Sequence, residues 1–204
     1  MSKKEDILRA ALHLFAEKGF KDTSMSELSQ ATGAAEGTIF YHFSNKEDIL
    51  LAILERARQE ITGEFERYFG KKRFADGLEM TVGVISFYLY LAGKLEGPFL
   101  LLHRHYPYKL AETNQLCREH LEAIYNCLVD FFEQAIQLGQ EDGSIRDMPA
   151  RKTAILIFTM VDGLVRFKDN NLYDAAALYE DLIESCKRML QCEKSGAGSD
   201  EDAD

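Results

Sequence analysis

Residues 23–48 read TSMSELSQATGAAEGTIFYHFSNKED, and this stretch decides the fold. Ser24 and Glu27 stand three apart, the spacing of a capping box, so a helix starts at Ser24. It is short, with Leu28 and Ala31 facing inward, and it stops at Thr32-Gly33. Glycine reaches backbone conformations that other residues avoid, so Thr32-Gly33-Ala34 is a tight turn. A third helix follows Ala34 and runs to about Phe43. Ile39 and Phe43, four apart, share its buried face, and Thr38, Tyr41 and His42 then project the other way. The next helix opens at Ser44-Asn45-Lys46-Glu47-Asp48, where either Ser44 with Glu47 or Asn45 with Asp48 can form the cap. Upstream, residues 3–18 form the first helix. Ile7, Ala11 and Phe15 make its stripe, widened by Leu8, Leu12 and Leu14, and Gly19 with Phe20 closes it. Three short helices with a tight turn between the second and third make a helix-turn-helix, a module that enters a DNA groove.

The remainder also reads as helix. The apolar period from Ile49 holds to about residue 69, where Gly70-Lys71-Lys72-Arg73 breaks it. Further helices are expected over 74–91, 99–105, 110–139, 149–168 and 172–191, with Pro107 breaking the chain and a loop at 141–144. No alternating strand pattern or internal repeat appears. The expected fold is all-α: an N-terminal domain (1–48, motif at about 24–43), a larger helical domain (49–192) and an acidic disordered tail (193–204).

The chain has 204 residues and a net charge of −10. The charge is spread as −2 over residues 1–50, −4 over 51–192 and −4 over 193–204, so the N-terminal module is not basic. Hydrophobic content is 46% and charged content 28%, the profile of a soluble globular protein. The N-terminus is polar and lacks a secretory pattern. The longest apolar runs, 82–92 and 154–165, fall short of the roughly 18 to 20 residues a membrane span needs. A cytoplasmic protein is expected. Cys117, Cys127, Cys186 and Cys192 form no CxxC pair and are expected as packed free thiols. No nucleophile–base cluster, phosphate loop or metal-ligand spacing is present, and Glu64 with Glu66 reads as a solvated face. Neither catalysis, a cofactor nor a metal is expected.

The order and spacing of Phe15-Ala16-Glu17-Lys18-Gly19-Phe20, Thr23-Ser24-Met25, Gly37-Thr38-Ile39-Phe40-Tyr41-His42-Phe43 and Ser44-Asn45-Lys46-Glu47 resemble the TetR family of bacterial transcriptional regulators. The resemblance covers about residues 5–55. It implies that Ser24 and Met25 abut the DNA backbone. Ala35, Glu36, Gly37 and Thr38 then begin the recognition helix. Phe40, Tyr41 and His42 form its DNA face, although Phe40 can equally be core, and it lacks the hydroxyl common there. Lys46 is implied as a phosphate contact. Glu36 departs from the family, which usually has a basic or neutral residue there. A carboxylate weakens phosphate contacts, or accepts from a cytosine amino group.

The resemblance further implies a homodimer through the last two helices, an inducer pocket among the middle helices, and a palindromic double-stranded operator. Tyr88, His103, His120 and Tyr125 are the pocket candidates, drawn from an aromatic-polar set. The expected function is a repressor released by a small-molecule inducer. The alternative is a helix-turn-helix regulator, including an activator, controlled by protein contacts.

Overall fold

The computed structural model describes residues 2–191, which form ten α-helices and no strand. Helix α1 (Lys3–Glu17) is capped by Ser2 and Glu5. Gly19, at φ +101°, ends it in the left-handed region. Helix α2 (Met25–Thr32) has the expected capping box of Ser24 and Glu27. Gly33 closes it at φ +63°, a backbone state that only glycine adopts without strain. Ala31 is exposed, contrary to expectation, because Leu28 alone fills the inward face of so short a helix. Helix α3 (Glu36–His42) follows, and Ile39 and Phe43 are buried as expected.

Helix α4 (Lys46–Phe69) is the long strut of the molecule. Asn45 is its cap residue and accepts from the Asp48 amide, while Asp48 in turn accepts from the Ser44 amide. Of the two expected pairings, the cap therefore uses Asn45 with Asp48. Helix α5 (Gly77–Lys94) begins after Asp76, later than residue 74. A Cβ on Gly77 would lie 2.0 Å from the Gly139 nitrogen. The two glycines let the start of α5 and the end of α8 touch backbone to backbone. Helices α6 (Glu96–Leu102) and α7 (His105–Ala111) are short apolar segments of the core.

Pro107 does not break the chain. It sits in the first turn of α7, where no intrahelical donor is needed. The break falls instead at residues 112–114. There Asn114 caps α8 (Gln115–Asp142) by accepting from the Cys117 amide. The expected 110–139 helix is therefore two helices, and the second runs to Asp142 before Gly143 stops it. Helix α9 (Ala150–Asp169) follows Pro149. The final segment is a 3-10 turn (Ala175–Leu178) leading into α10 (Tyr179–Leu190), not a helix from residue 172.

Helix α8 is the hub of the larger region and packs against α4, α5, α7 and α9. One buried cluster runs from Ile7 in α1 through Phe65, Tyr88, Phe99 and Phe132 to Leu190. Among the described residues no single helix is long and apolar enough to cross a membrane. Cys117, Cys127 and Cys186 are free, and burial pushes each thiol up to about 11. Cys192 and the tail expected over 193–204 lie outside the described residues.

Candidate functional site

Helix α3 has two unlike faces. Ile39 and Phe43 are sealed against α1 and α2, while Tyr41 is 84% and Phe40 48% exposed. Phe40 is therefore a surface residue. Thr38 and His42 are partly exposed beside them, and the Tyr41 and His42 rings meet edge to face at 5.1 Å. Ala35, Glu36 and Gly37, at the start of the helix, are exposed. A Cβ on Gly37 would meet nothing within 4 Å, so the protein itself does not require glycine there. Ser24 is occupied in capping α2, and Met25 packs partly into the core.

Lys46 lies closer to the protein than a surface lysine would. Its ammonium donates to the Phe20 and Thr23 carbonyls, each at 2.6 Å, and sits 4.4 Å from the Phe20 ring centroid. Burial lowers its pKa. Lys46 thus ties the turn between α1 and α2 to the start of α4.

The pocket candidates do not all come together. The Tyr88 hydroxyl, buried in α5, donates to Asp162 Oδ1 of α9 at 2.6 Å. The ring of His103, at the end of α6, meets Asp162 Oδ1 through Nε2 at 3.1 Å and Asp169 Oδ2 through Nδ1 at 2.8 Å. Arg166 donates to the other Asp162 oxygen at 3.1 Å. Tyr125 lies next to this group, hydrogen-bonded to the Tyr108 hydroxyl and 5.9 Å from the Phe158 ring. His120 is elsewhere, on the seam between α8 and α4, where its Nδ1 is 3.1 Å from Glu55.

Asp162 is the centre that sequence reasoning missed. The one available signal was an acidic residue inside an otherwise apolar run. Burial disfavours the charged form of Asp162. The hydrogen bonds from His103 and Tyr88 prevail, and its pKa is lowered. Burial likewise acts against a charged His103, but its bonds to both carboxylates prevail and its pKa is raised. Burial beside Asp162 raises the Tyr88 phenol well above its ordinary value. The described residues hold no buried side-chain nitrogen or oxygen without a hydrogen-bond partner, so the cluster is internally satisfied.

The same short segment reaches the N-terminal helices. Arg104, next to His103, donates through Nε to the Ala16 carbonyl at 2.6 Å and through Nη2 to the Glu17 carbonyl at 2.8 Å. A cation on the last carbonyls of α1 satisfies groups that helix ends leave unpaired. The Tyr106 ring stacks on Phe20 at 3.9 Å, and its hydroxyl donates to Glu47 at 2.9 Å. Residues 103–106 therefore join the buried cluster of α5, α6 and α9 to α1 and α4. A cleft of about 380 Å³ opens between α1, α4 and the start of α6. Leu12, Ile53, Ala57 and Pro98 form its apolar floor, with Arg9, Arg56 and Glu60 at its rim.

Comparison with known proteins agrees with this architecture. Residues 7–53 match the family model described as bacterial regulatory proteins, tetR family. The chain is 26% identical over 180 residues to the fatty acid metabolism regulator protein of Bacillus subtilis (strain 168), covering 87% of this chain and 90% of that one. The crystal structure of the regulator FadR from Bacillus subtilis, in complex with stearoyl-CoA, superposes with a TM-score of 0.70 at 24% identity, over 89% of this chain and 96% of that one. A Saccharomonospora viridis protein solved in complex with choline gives 0.79 at 21% identity, over 93% and 98%. Residues 7–53 thus carry an N-terminal module that matches the tetR family model, with an exposed aromatic face on α3, and the helical domain joined to it shares the fold of the solved relatives.

Proposed function

We propose that the protein is a cytoplasmic homodimeric repressor, which reads a palindromic double-stranded operator through α2 and α3 and leaves it when a small-molecule inducer binds the larger helical domain. The observation that carries this reading is the outward face of α3. Two large aromatic side chains stand in solvent there, beside a glycine that the fold itself does not need. Thr38, Tyr41 and His42 supply hydrogen-bonding groups for base edges and phosphates, and Phe40 supplies an apolar face for a thymine methyl. Ser24, Met25, Ala35, Glu36 and Gly37 lie along the DNA backbone. Two of the three Lys46 N–H bonds hold the α1–α2 turn, leaving one donor for a phosphate.

Helix α9 supports the dimer. Ile155, Leu156, Met160 and Phe167 are exposed, and Leu172, Tyr173 and Leu178 extend the apolar area. A patch of this kind marks a protein contact. The outward face of α10 is more polar, so α9 supplies most of the apolar surface. The solved relatives hold chemically unlike small molecules, stearoyl-CoA and choline. This supports a ligand role for the helical domain. Inducer binding near Tyr88, His103 and Tyr125 would shift the population of the 103–106 segment, and with it the seating of α1 and α4. His120 would act from the α4 side, through Glu55.

Selection of bound DNA from random sequence tests the proposal. The expected product is a roughly palindromic site with half-sites about 34 to 36 Å apart, one helical turn. No enrichment at low salt would overturn it.

A further inference from the structure

Arg67, Lys71, Lys72 and Arg73 fall within seven residues that include no carboxylate, in a chain of net charge −10. They gather at the end of α4, where the helix macrodipole favours cations. That effect accounts for the charge but not for the rings beside it. A shallow, open cleft of about 470 Å³ lies between the end of α4 and α5. Arg67, Lys71 and Lys72 line it together with Tyr68, Phe87 and Tyr90. Tyr68 stacks on Phe87 with centroids 4.1 Å apart and planes 9° apart, and Phe87 meets Tyr90 at 5.9 Å. Phe65, 4.9 Å from Phe87 and buried, backs the rings, so the aromatic floor is held before anything binds. Tyr90 is 58% exposed, on a surface that belongs neither to α3 nor to α9.

The charges in the cleft favour an anion. Its one carboxylate, Glu64, already accepts from Arg67 at 2.6 Å and from Lys94 at 2.9 Å. Lys72 donates to the Tyr68 hydroxyl at 2.8 Å, which holds an ammonium at the edge of the rings. Among the described residues Lys71 and Arg73 have no carboxylate partner within ion-pair distance. We propose that this cleft binds a nucleoside diphosphate, with its base on the exposed Tyr90 ring beside the edge of Tyr68, and its phosphates on Arg67, Lys71 and Lys72. A nucleic-acid strand would need a basic groove leading onward, whereas the preceding surface of α4 carries Glu60, Glu64 and Glu66. The site is separated from α3 by the 24 residues of α4, about 36 Å of helix, so it stands or falls independently of operator binding.

Calorimetric titration of the full chain with ADP, adenosine, inorganic pyrophosphate and a short single-stranded oligonucleotide tests the proposal. ADP is expected to bind at least about tenfold more tightly than adenosine or pyrophosphate, because stacking and charge both contribute. Tyr90→Ala should weaken ADP about fivefold or more and leave pyrophosphate unchanged. The double variant Lys71→Glu/Lys72→Glu should weaken both. All three positions are exposed, and a thermal melt of each variant checks that it folds. Pyrophosphate binding as tightly as ADP would overturn the proposal, since cations alone would then explain the patch. So would adenosine matching ADP, the oligonucleotide binding more tightly than ADP, or no ADP binding at about 1 mM, a concentration at which even weak specific sites fill.

Discussion

Gly37→Ala separates what the fold needs from what the operator needs. In the free protein the added methyl meets nothing within 4 Å, and Gly37 is not at positive φ. Alanine is the better helix residue by about 0.5 to 1 kcal/mol, so the folded protein should gain up to that amount. For a chain of this size the melting temperature should rise by about 2 to 4 °C at most. DNA binding should move the opposite way. A methyl forced into a tightly packed interface costs about 1 to 3 kcal/mol, and a dimer meets this cost at both half-sites. Even about 1.4 kcal/mol per half-site lowers operator affinity about 100-fold. Fluorescence anisotropy with the selected operator measures affinity, and a melt on the same preparation measures stability. An affinity within twofold of the parent, in a protein of increased stability, would refute the placement of the α3 N-terminus against DNA. A loss of stability would refute the claim that Gly37 faces open space.

Glu36→Gln, at the neighbouring exposed position, should raise affinity for unrelated DNA. It should also steepen the dependence of log K on log salt, by up to about 0.9 for each additional phosphate that the protein neutralises. Salt titrations of both proteins check this, and superimposable lines would remove any restraining role for Glu36. Leu156→Glu places a charge on the exposed apolar face of α9, where the residue is 59% exposed in one chain. Sedimentation should show monomers at concentrations where the parent is dimeric, with helical content retained. His103 titrates above its ordinary value of 6.5 in the fold: burial opposes the charged ring, but its hydrogen bonds to Asp162 and Asp169 outweigh it. A raised folded pKa contributes stability that is complete below about 6.5 and is lost as pH rises through the higher folded value. The urea-unfolding gap between the parent and His103→Gln should therefore narrow from about pH 6 to 9, and a widening gap would contradict the pairing. Cys117 and Cys186, buried and each pushed up to about 11, should react with a disulfide reagent at neutral pH only as fast as the chain unfolds locally, and more slowly than the half-buried Cys127. Rapid labelling of either buried thiol would show its helix to be open.

The N-terminal module was legible because its signals are local. Ser24 with Glu27, Gly33 in the turn, and Ile39 with Phe43 each act within one or two helical turns, and the structure realises all of them. The sequence also carried the all-helical class and the exposed aromatic face of α3. Helix boundaries in the middle of the chain were less legible. A proline in a first turn and a proline at a break look alike until the neighbouring caps are known, which is why Pro107 misled and Asn114 was overlooked.

Only the tertiary structure could decide the buried cluster. Asp162, His103, Tyr88 and Asp169 lie on three helices, and nothing in their spacing brings one imidazole between two carboxylates. The same holds for Arg104 reaching the end of α1, and for Lys46 turning inward to two carbonyls. Local hydrogen bonds and hydrophobic period are written along the chain, so a sequence determines them by itself. Long-range polar partners are chosen by how helices pack, which depends on the whole core at once.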